Sequence, residues 1–129
     1  MKFIKSKIIF LVGTCLLGCA IIANAEDLKV SNNSKYDFSF SINNACSRDL
    51  GVVGSRTIKI IPEENLNQAC AYNLNHCEIM MYKNASCKGK SIVKIVLDTK
   101  LGMQSVRTSS KGVSAGVSMF NLFLTGPWQ

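Results

Sequence analysis

Histidine is nearly absent from this chain: His76 is the only one, so no second imidazole is available to complete a metal site. Blue-copper centres need two histidines and a thiolate, and the cysteine spacings do not match the C-x₂-C pattern of zinc sites. We therefore expect no metal and no cofactor. Copper(I) bound by His76 and Met80 is kept as an alternative, which would make the chain a copper-binding periplasmic protein.

The sequence also lacks an apolar run long enough to cross a bilayer. The longest run, from Ile8 to Ile22, spans 15 residues, against the roughly 20 that a membrane-spanning helix needs. Lysines precede it, and an Ala-Asn-Ala stretch that ends at Ala25 follows it, which fits signal peptidase cleavage. The pattern predicts a helical signal peptide over 1–25, removed on export, and a single secreted or periplasmic domain over 26–129.

A second processing route stays open. The segment Leu16–Cys19 is similar to the lipobox of bacterial lipoproteins, in which the cysteine is lipidated and becomes the new N-terminus. In that case the protein is anchored to a membrane through Cys19. Without that lipid we expect no membrane partner.

Acidic residues are few, and the basic residues that outnumber them are spread along the chain. Without the three lysines of the predicted signal, 12 basic residues stand against 8 acidic ones, a net charge of +4. Nucleic-acid binders usually carry a denser basic stripe with interleaved aromatics, so we expect no nucleic-acid partner. The nearest thing to a cluster consists of Lys83, Lys88, Lys90 and Lys94, which we interpret as solvated lysines on turns and strand edges.

Four cysteines remain after the predicted signal: Cys46, Cys70, Cys77 and Cys87. An even number in a small exported domain predicts two disulfides. Sequence alone does not choose among the three possible pairings. A hairpin that begins at Cys77 favours the pair Cys77–Cys87, which leaves Cys46–Cys70.

Short patterned runs separated by turn residues predict an all-β chain. In the segment 36–42, YDFSFSI, the apolar side chains alternate with polar ones, as in a half-buried strand. About seven such strands predict a small antiparallel β-sandwich, with a closed barrel as the alternative. The expected strands are 28–30, 36–42, 56–61, 77–83, 92–97, 103–108 and one long strand 113–124, with a loop containing a helical turn over 62–75.

The alternation also predicts the core and a feature of the last strand. Gly116 within the long strand is expected to mark a bulge or a close backbone approach. Phe38, Phe40 and Ile42 are expected to pack against inward-facing residues of the other strands. That set comprises Ile58, Ile60, Ile79, Val93, Ile95 and Phe120.

Catalytic signatures are weak. The stretch Gly112–Gly116 matches the G-x-S-x-G nucleophile elbow around Ser114, but no helix pattern follows it, and His76 precedes the serine instead of following it. Glu63, Glu64 and Asp98 offer carboxylates without a visible pairing. We therefore expect no enzyme, and keep a small secreted hydrolase whose site forms only in three dimensions as an alternative.

The remaining signal is aromatic. Phe123 and Trp128 are concentrated near the end of the chain, and Tyr82 ends a predicted strand. If exposed, these side chains suit a binding surface. The hypothesis from sequence is an exported, non-catalytic binding module for a protein or glycan surface, in a bacterial setting.

Overall fold

The computed structural model describes residues 26–109 and 112–127, which form two β-sheets and a short helix. Ala25, Cys19 and Trp128 lie outside the described residues, so both processing routes and the role of the tryptophan stay predictions. The strands are β1 (Leu28–Asn33), β2 (Phe38–Ile42), β3 (Ala45–Cys46), β4 (Val52–Val53), β5 (Thr57–Ile61), β6 (Cys77–Tyr82), β7 (Val93–Asp98), β8 (Gly102–Thr108), β9 (Ser114–Ser118) and β10 (Asn121–Thr125), and the helix α1 is Glu63–Ala69.

The strands divide between a small and a large sheet. The small sheet has the order β5-β1-β10-β9, and the large sheet has the order β3-β2-β6-β7-β8 with β4 also paired to β2. The predicted β-sandwich is therefore confirmed, and two separate sheets take the place of the closed barrel. One described pair, β1 with β10, is parallel, whereas the other pairs are antiparallel.

The core lies between the two sheets. Phe38 and Phe40 are fully buried, together with Ile79, Met81 and Ile95 of the neighbouring strands in the large sheet. Burying one such side chain contributes about 1.5–3 kcal/mol, so this layer dominates the stability of the fold. The pattern in 36–42 thus identified the inward face of β2 correctly.

The expected placement of Ile58 and Ile60 in the core is wrong. In the ladder between β5 and β1, Ile61 lies opposite Leu28, and both are buried. Because side chains alternate along a strand, Ile58 and Ile60 then point away from the core, with exposed fractions of 62% and 51%. Strand β5 therefore sits one residue out of phase with the prediction.

The expected single last strand is also wrong. The chain turns at Met119 and Phe120, and β9 and β10 form an antiparallel hairpin. Met119 has φ of 55°, the left-handed geometry of a tight turn. Gly116 pairs in regular register with Phe123, and an added Cβ there would meet no atom within 4 Å, so neither the bulge nor the close approach is present.

Two disulfides are present as predicted, but the favoured pairing is wrong. Cys46 bonds Cys87, and Cys70 bonds Cys77. The loop after β6 folds back over β2, where the Cys87 N–H donates a hydrogen bond to Ser39 Oγ at 2.9 Å. This path carries Cys87 to β3, the neighbour of β2, and away from the start of β6. Cys77 is thereby left to Cys70, which follows α1.

That loop also explains why two outward-facing serines are buried. Ser39 and Ser41 point away from the core, yet they are only 0% and 2% exposed. Ser41 Oγ lies 3.0 Å from the hydroxyl of Tyr82. The Cys46–Cys87 disulfide therefore fixes a covering layer over β2 that the alternation pattern does not predict.

A buried asparagine fixes one end of the sandwich. The Asn32 amide donates hydrogen bonds to the carbonyls of Tyr36 (2.7 Å) and Gly54 (2.9 Å), and its Oδ1 accepts one from Ser34 Oγ (2.7 Å). A buried amide needs such partners, because an unsatisfied one costs about 1–3 kcal/mol. Asn32 thus joins the loop after β1 to the loop before β5.

Across residues 26–109 and 112–127, no helix has the length and apolar character to span a membrane.

Candidate functional site

The outer face of the small sheet, the side turned away from the core, is the strongest candidate for a binding surface. Three of its strands place one row of partners across it: Ile58 of β5 lies opposite Ser31 of β1, which lies beside Phe123 of β10. Adjacent strands are about 4.8 Å apart, so the two apolar side chains stand about 10 Å from each other. Between them lies the small Ser31.

This row forms a shallow groove with apolar walls and a polar floor. A depression of about 390 Å³ is lined by Ile58, Phe123 and the polar residues around them. Phe123 is 48% exposed, and Gly116 on its other side adds no side chain. The ring is thus accessible from both sides. Exposed apolar residues surrounded by polar ones are typical of interaction sites.

The charge on this face is one-sided. The side chains that point outward from the four strands include no carboxylate, and Lys29 lies in the row next to Ile60. Arg56, which also lines the groove, precedes β5 with φ of 57°. The outward-facing set comprises Lys29, Ser31, Asn33, Ile58, Ile60, Ser114, Gly116, Ser118, Asn121, Phe123 and Thr125.

Strand β5 also carries a charge on its inner side. Lys59 pairs with the buried Val30, so it starts toward the sandwich interior, and its ammonium reaches the backbone around Gly51. An inward-pointing lysine on an edge strand discourages pairing with a strand of another chain. A partner can therefore contact the exposed isoleucine side chains, whereas Lys59 disfavours the addition of a partner strand to the edge of β5.

Two of the aromatic residues predicted as a binding set, Phe123 and Tyr82, are not brought together. Phe123 lies on the outer face of the small sheet, whereas Tyr82 lies on the large sheet, half-buried and bonded to Ser41. Leu124, next to Phe123, is fully buried in the core. Of the two predicted residues that the structure describes, Phe123 lies on the candidate surface and Tyr82 does not, and the binding role of Phe123 stays a prediction.

The residues of the alternative copper site have other partners. His76 Nε2 lies 3.2 Å from Glu78 Oε2, and Met80 Sδ accepts a hydrogen bond from Ser91 Oγ at 3.8 Å. Cys77 is buried and oxidised. Within the part of the chain that the structure describes, no group of three or more His, Cys, Asp or Glu side chains is placed to hold a metal.

Glu78 forms the centre of a small exposed ionic cluster. The hydrogen bond from His76 lowers the pKa of Glu78 below its ordinary value of 4.5, and Lys94, whose Nζ is 3.4 Å from Oε1, lowers it further by a hydrogen bond and by its charge. Burial opposes this slightly. The cluster sits beside a depression of about 260 Å³ near Cys77 and Tyr72. The two partners therefore favour the ionised form of the Glu78 carboxylate.

The residues proposed for hydrolysis are separated. Ser114 begins β9 in the small sheet, whereas His76 precedes β6 in the large sheet, at the opposite end of the sandwich. Asp98 Oδ1 accepts hydrogen bonds from the N–H groups of Lys100 (2.8 Å) and Leu101 (3.1 Å), which is a turn-stabilising role. The structure therefore does not assemble His76 with Ser114.

Sequence reasoning missed Ile58, Ile60 and Ser31 as surface residues. In RTIKII, one alternation places Ile58 and Ile60 inside, and the other places Lys59 and Ile61 inside. The alternation that places Ile58 and Ile60 inside buries more apolar area, so the sequence pattern favours it. The correct phase of β5 depends on its pairing with β1. Leu28 and Val30 of β1 point inward, so the residues of β5 that pair with them, Ile61 and Lys59, point inward as well.

Comparisons with known proteins bear on the fold. No protein-family model matches the sequence, and no curated protein matches it either. Among solved structures, the chain is similar to the crystal structure of the Legionella pneumophila type II secretion system substrate NttC, with a TM-score of 0.64 and 16% identity. The match covers 78% of this chain and 96% of that one. At this identity the likeness shows that the two proteins share a fold.

Proposed function

We propose that this chain is an exported, non-catalytic binding module that holds a protein partner against the outer face of the small sheet. Export is supported by the predicted signal over 1–25 and by two disulfides, which form and persist in oxidising compartments. A structural neighbour that is itself a type II secretion substrate is consistent with this location. Catalysis forms no part of the proposal.

The register of β5 carries the proposal. A slip of one residue would bury Ile58 and Ile60 and expose Lys59 and Ile61, a net gain of one buried isoleucine, yet the chain keeps Ile58 and Ile60 in solvent. The observed register therefore forgoes roughly 1.5–3 kcal/mol, the free energy gained by burying one more isoleucine side chain. A partner that covers the face recovers part of that free energy.

The chemistry of the groove favours a protein over a sugar. Two β-branched aliphatic side chains and one aromatic ring supply the apolar centre of a protein interface, and Ser31, Asn33 and Thr125 supply its polar rim. A glycan site needs more converging polar groups than this face provides at its centre. The lack of carboxylates on the face favours a partner surface that is apolar and mildly acidic.

A photo-crosslinking residue at position 58 tests the proposal. Leu101 offers a matched control position, because it is also 62% exposed but lies in the turn between β7 and β8. We expect the crosslinker at 58 to capture one defined protein from envelope and extracellular material, and the crosslinker at 101 not to capture it. Equal capture at both positions, or adducts only with glycan, would contradict the proposal.

Self-association is a separate outcome of the same experiment. If the crosslinker at position 58 joins two copies of this chain, and sedimentation shows a dimer that Phe123→Ser disrupts, the face is a homodimer interface. That result would replace the proposed partner with a second copy.

A further inference from the structure

The two ends of the sandwich carry opposite charge. We name as the basic end the loops 34–37, 54–56, 83–92 and 126–127. Lys35 N–H bonds the Pro127 carbonyl, and Ser55 Oγ bonds the Ser34 carbonyl. The Lys83 ammonium lies over the Tyr36 ring, which brings the start of 83–92 to these loops before its middle folds over β2. These loops hold one acid, Asp37, which accepts a hydrogen bond from the Ser55 N–H. Their basic residues are Lys35, Arg56, Lys83, Lys88 and Lys90.

The opposite end is acidic. The segments 26–27, 62–64, 98–101 and 119–120 meet there, since Glu63 N–H bonds Asp27 Oδ1 and Lys29 N–H bonds the Phe120 carbonyl. Their only basic residue among the described ones is Lys100. Five acids share this end: Glu26, Asp27, Glu63, Glu64 and Asp98. The basic and acidic residues of these loops are therefore separated between the two ends of the sandwich, which the net charge of the chain does not show.

Two lysines of the basic end are held in place by an aromatic ring. The Nζ atoms of Lys35 and Lys83 lie 5.4 Å and 5.2 Å from the centre of the Tyr36 ring. That ring packs edge-on against the fully buried Phe38, with 6.5 Å between ring centres. Cation–π contact orders an ammonium but leaves its charge in place. Both charges are thus anchored to the core.

The loop with the other lysines is also ordered. Asn84 Oδ1 accepts hydrogen bonds from the N–H groups of Ser86 and Lys88 at 3.0 Å, and the Cys46–Cys87 disulfide ties the loop to β3. Lys88 and Lys90 are exposed, and neither forms an ion pair with a described residue. A preorganised set of unneutralised charges attracts anions at little entropic cost.

We propose that the basic end binds a linear, anionic polysaccharide. The lysines are spread over two loops and converge on no enclosed cavity, so an extended polyanion fits better than a compact ion. None of the large apolar side chains exposed in the described chain lies in these loops, which argues against insertion into a lipid interface and against the apolar centre of a protein interface. The Tyr36 ring is half-buried beneath two lysines and offers no stacking platform for bases.

This surface adjoins the outer face of the small sheet and shares Arg56 with its groove, but Lys88 and Lys90 do not line that groove. The proposed protein partner would contact side chains that point out of β5, β1 and β10, whereas the polysaccharide would contact loops at one end. The two proposals therefore fail separately.

Calorimetric titration of the purified protein with polygalacturonate tests the inference. We expect binding that weakens as salt is added, and a roughly tenfold weaker affinity after Lys88→Gln with Lys90→Gln. The matched control is Lys29→Gln with Lys100→Gln, which removes two exposed lysines outside the basic end and should change the affinity less than about twofold. Circular dichroism spectra that superimpose establish that both variants are folded.

Several results would overturn the inference. Equal weakening by both double variants would mean that net charge alone drives binding. Comparable affinity for a neutral galactan, for phosphatidylglycerol vesicles or for duplex DNA would remove the assignment to an anionic polysaccharide. Absence of binding to polygalacturonate at low salt would do the same.

Discussion

Ile58 lies directly opposite Ser31 in the antiparallel pairing of β5 with β1, and this pairing directs the isoleucine side chain into solvent. The same Ser31 is the parallel neighbour of Phe123. One serine thus separates two exposed apolar side chains in a single row across the sheet. The proposed function follows from that row.

The register of β5 predicts different costs for two adjacent isoleucines. Ile61 is fully buried, so Ile61→Ala should lower the free energy of unfolding by about 2–5 kcal/mol, as in other core truncations. Ile60→Ala, at a half-exposed position, should lower it by less than about 1 kcal/mol. Urea denaturation measures both. A larger loss for Ile60 than for Ile61 would mean that the strand lies in the opposite phase.

Local pattern identified much of this fold, and its errors have a common cause. Alternation in 36–42 selected the inward residues Phe38 and Phe40 because the two faces of that strand differ sharply in polarity. In 56–61 both faces contain isoleucine, so the pattern does not discriminate between them. Which face of β5 points inward depends on its pairing with β1, a strand that is distant from it in the sequence.

The disulfide pairing and the hairpin of β9 and β10 also depend on contacts that the local sequence pattern does not show. Cys87 meets Cys46 because the loop after β6 folds over β2, a path fixed by contacts such as that between Cys87 and Ser39. The two residues at the turn, Met119 and Phe120, are neither glycine, asparagine nor proline, so their types do not predict a turn there. Of the candidate surface, only Phe123 was predicted, because aromatic residues are conspicuous in any context.

The two disulfides should differ in their contribution to stability. Cys46–Cys87 closes a separation of 41 residues and Cys70–Cys77 a separation of 7. In the chain-entropy model, these loops correspond to about 4 and about 2.5 kcal/mol. Replacing each pair by serine and measuring urea denaturation checks the order. Non-reducing peptide mapping that recovers Cys46 linked to Cys70 would contradict the pairing itself.

Two glycines form a matched test of the turn at Met119. Gly102 has φ of 106°, and a Cβ there would lie 2.8 Å from backbone atoms of Met119. Gly102→Ala should therefore destabilise the fold by more than about 2 kcal/mol. Gly116→Ala meets open space and should change the stability by less than about 1 kcal/mol. Thermal unfolding of the two variants gives the comparison, and equal effects would contradict the close approach at Gly102.

The Glu78 cluster predicts a pH-dependent signature. Because His76 and Lys94 lower the pKa of Glu78 in the folded state, the ionised carboxylate favours folding at pH above its unfolded pKa. That contribution is lost as the pH falls through the lowered, folded pKa. An NMR titration of the Glu78 side chain should give a pKa below 4.5, and His76→Ala or Lys94→Ala should raise it. A pKa that neither variant moves would contradict the cluster.

The most direct test of the account is the affinity of the partner recovered through position 58 for two matched double variants. Ile58→Ser with Phe123→Ser alters the groove, and Leu101→Ser with Met119→Ser alters two apolar residues at the acidic end that are at least as exposed. We predict that the first double variant raises the Kd by roughly thirtyfold or more, since central apolar contacts contribute 2 kcal/mol or more, and that the second leaves it unchanged. An unchanged Kd for the groove variant, or equal losses in both, would contradict the account.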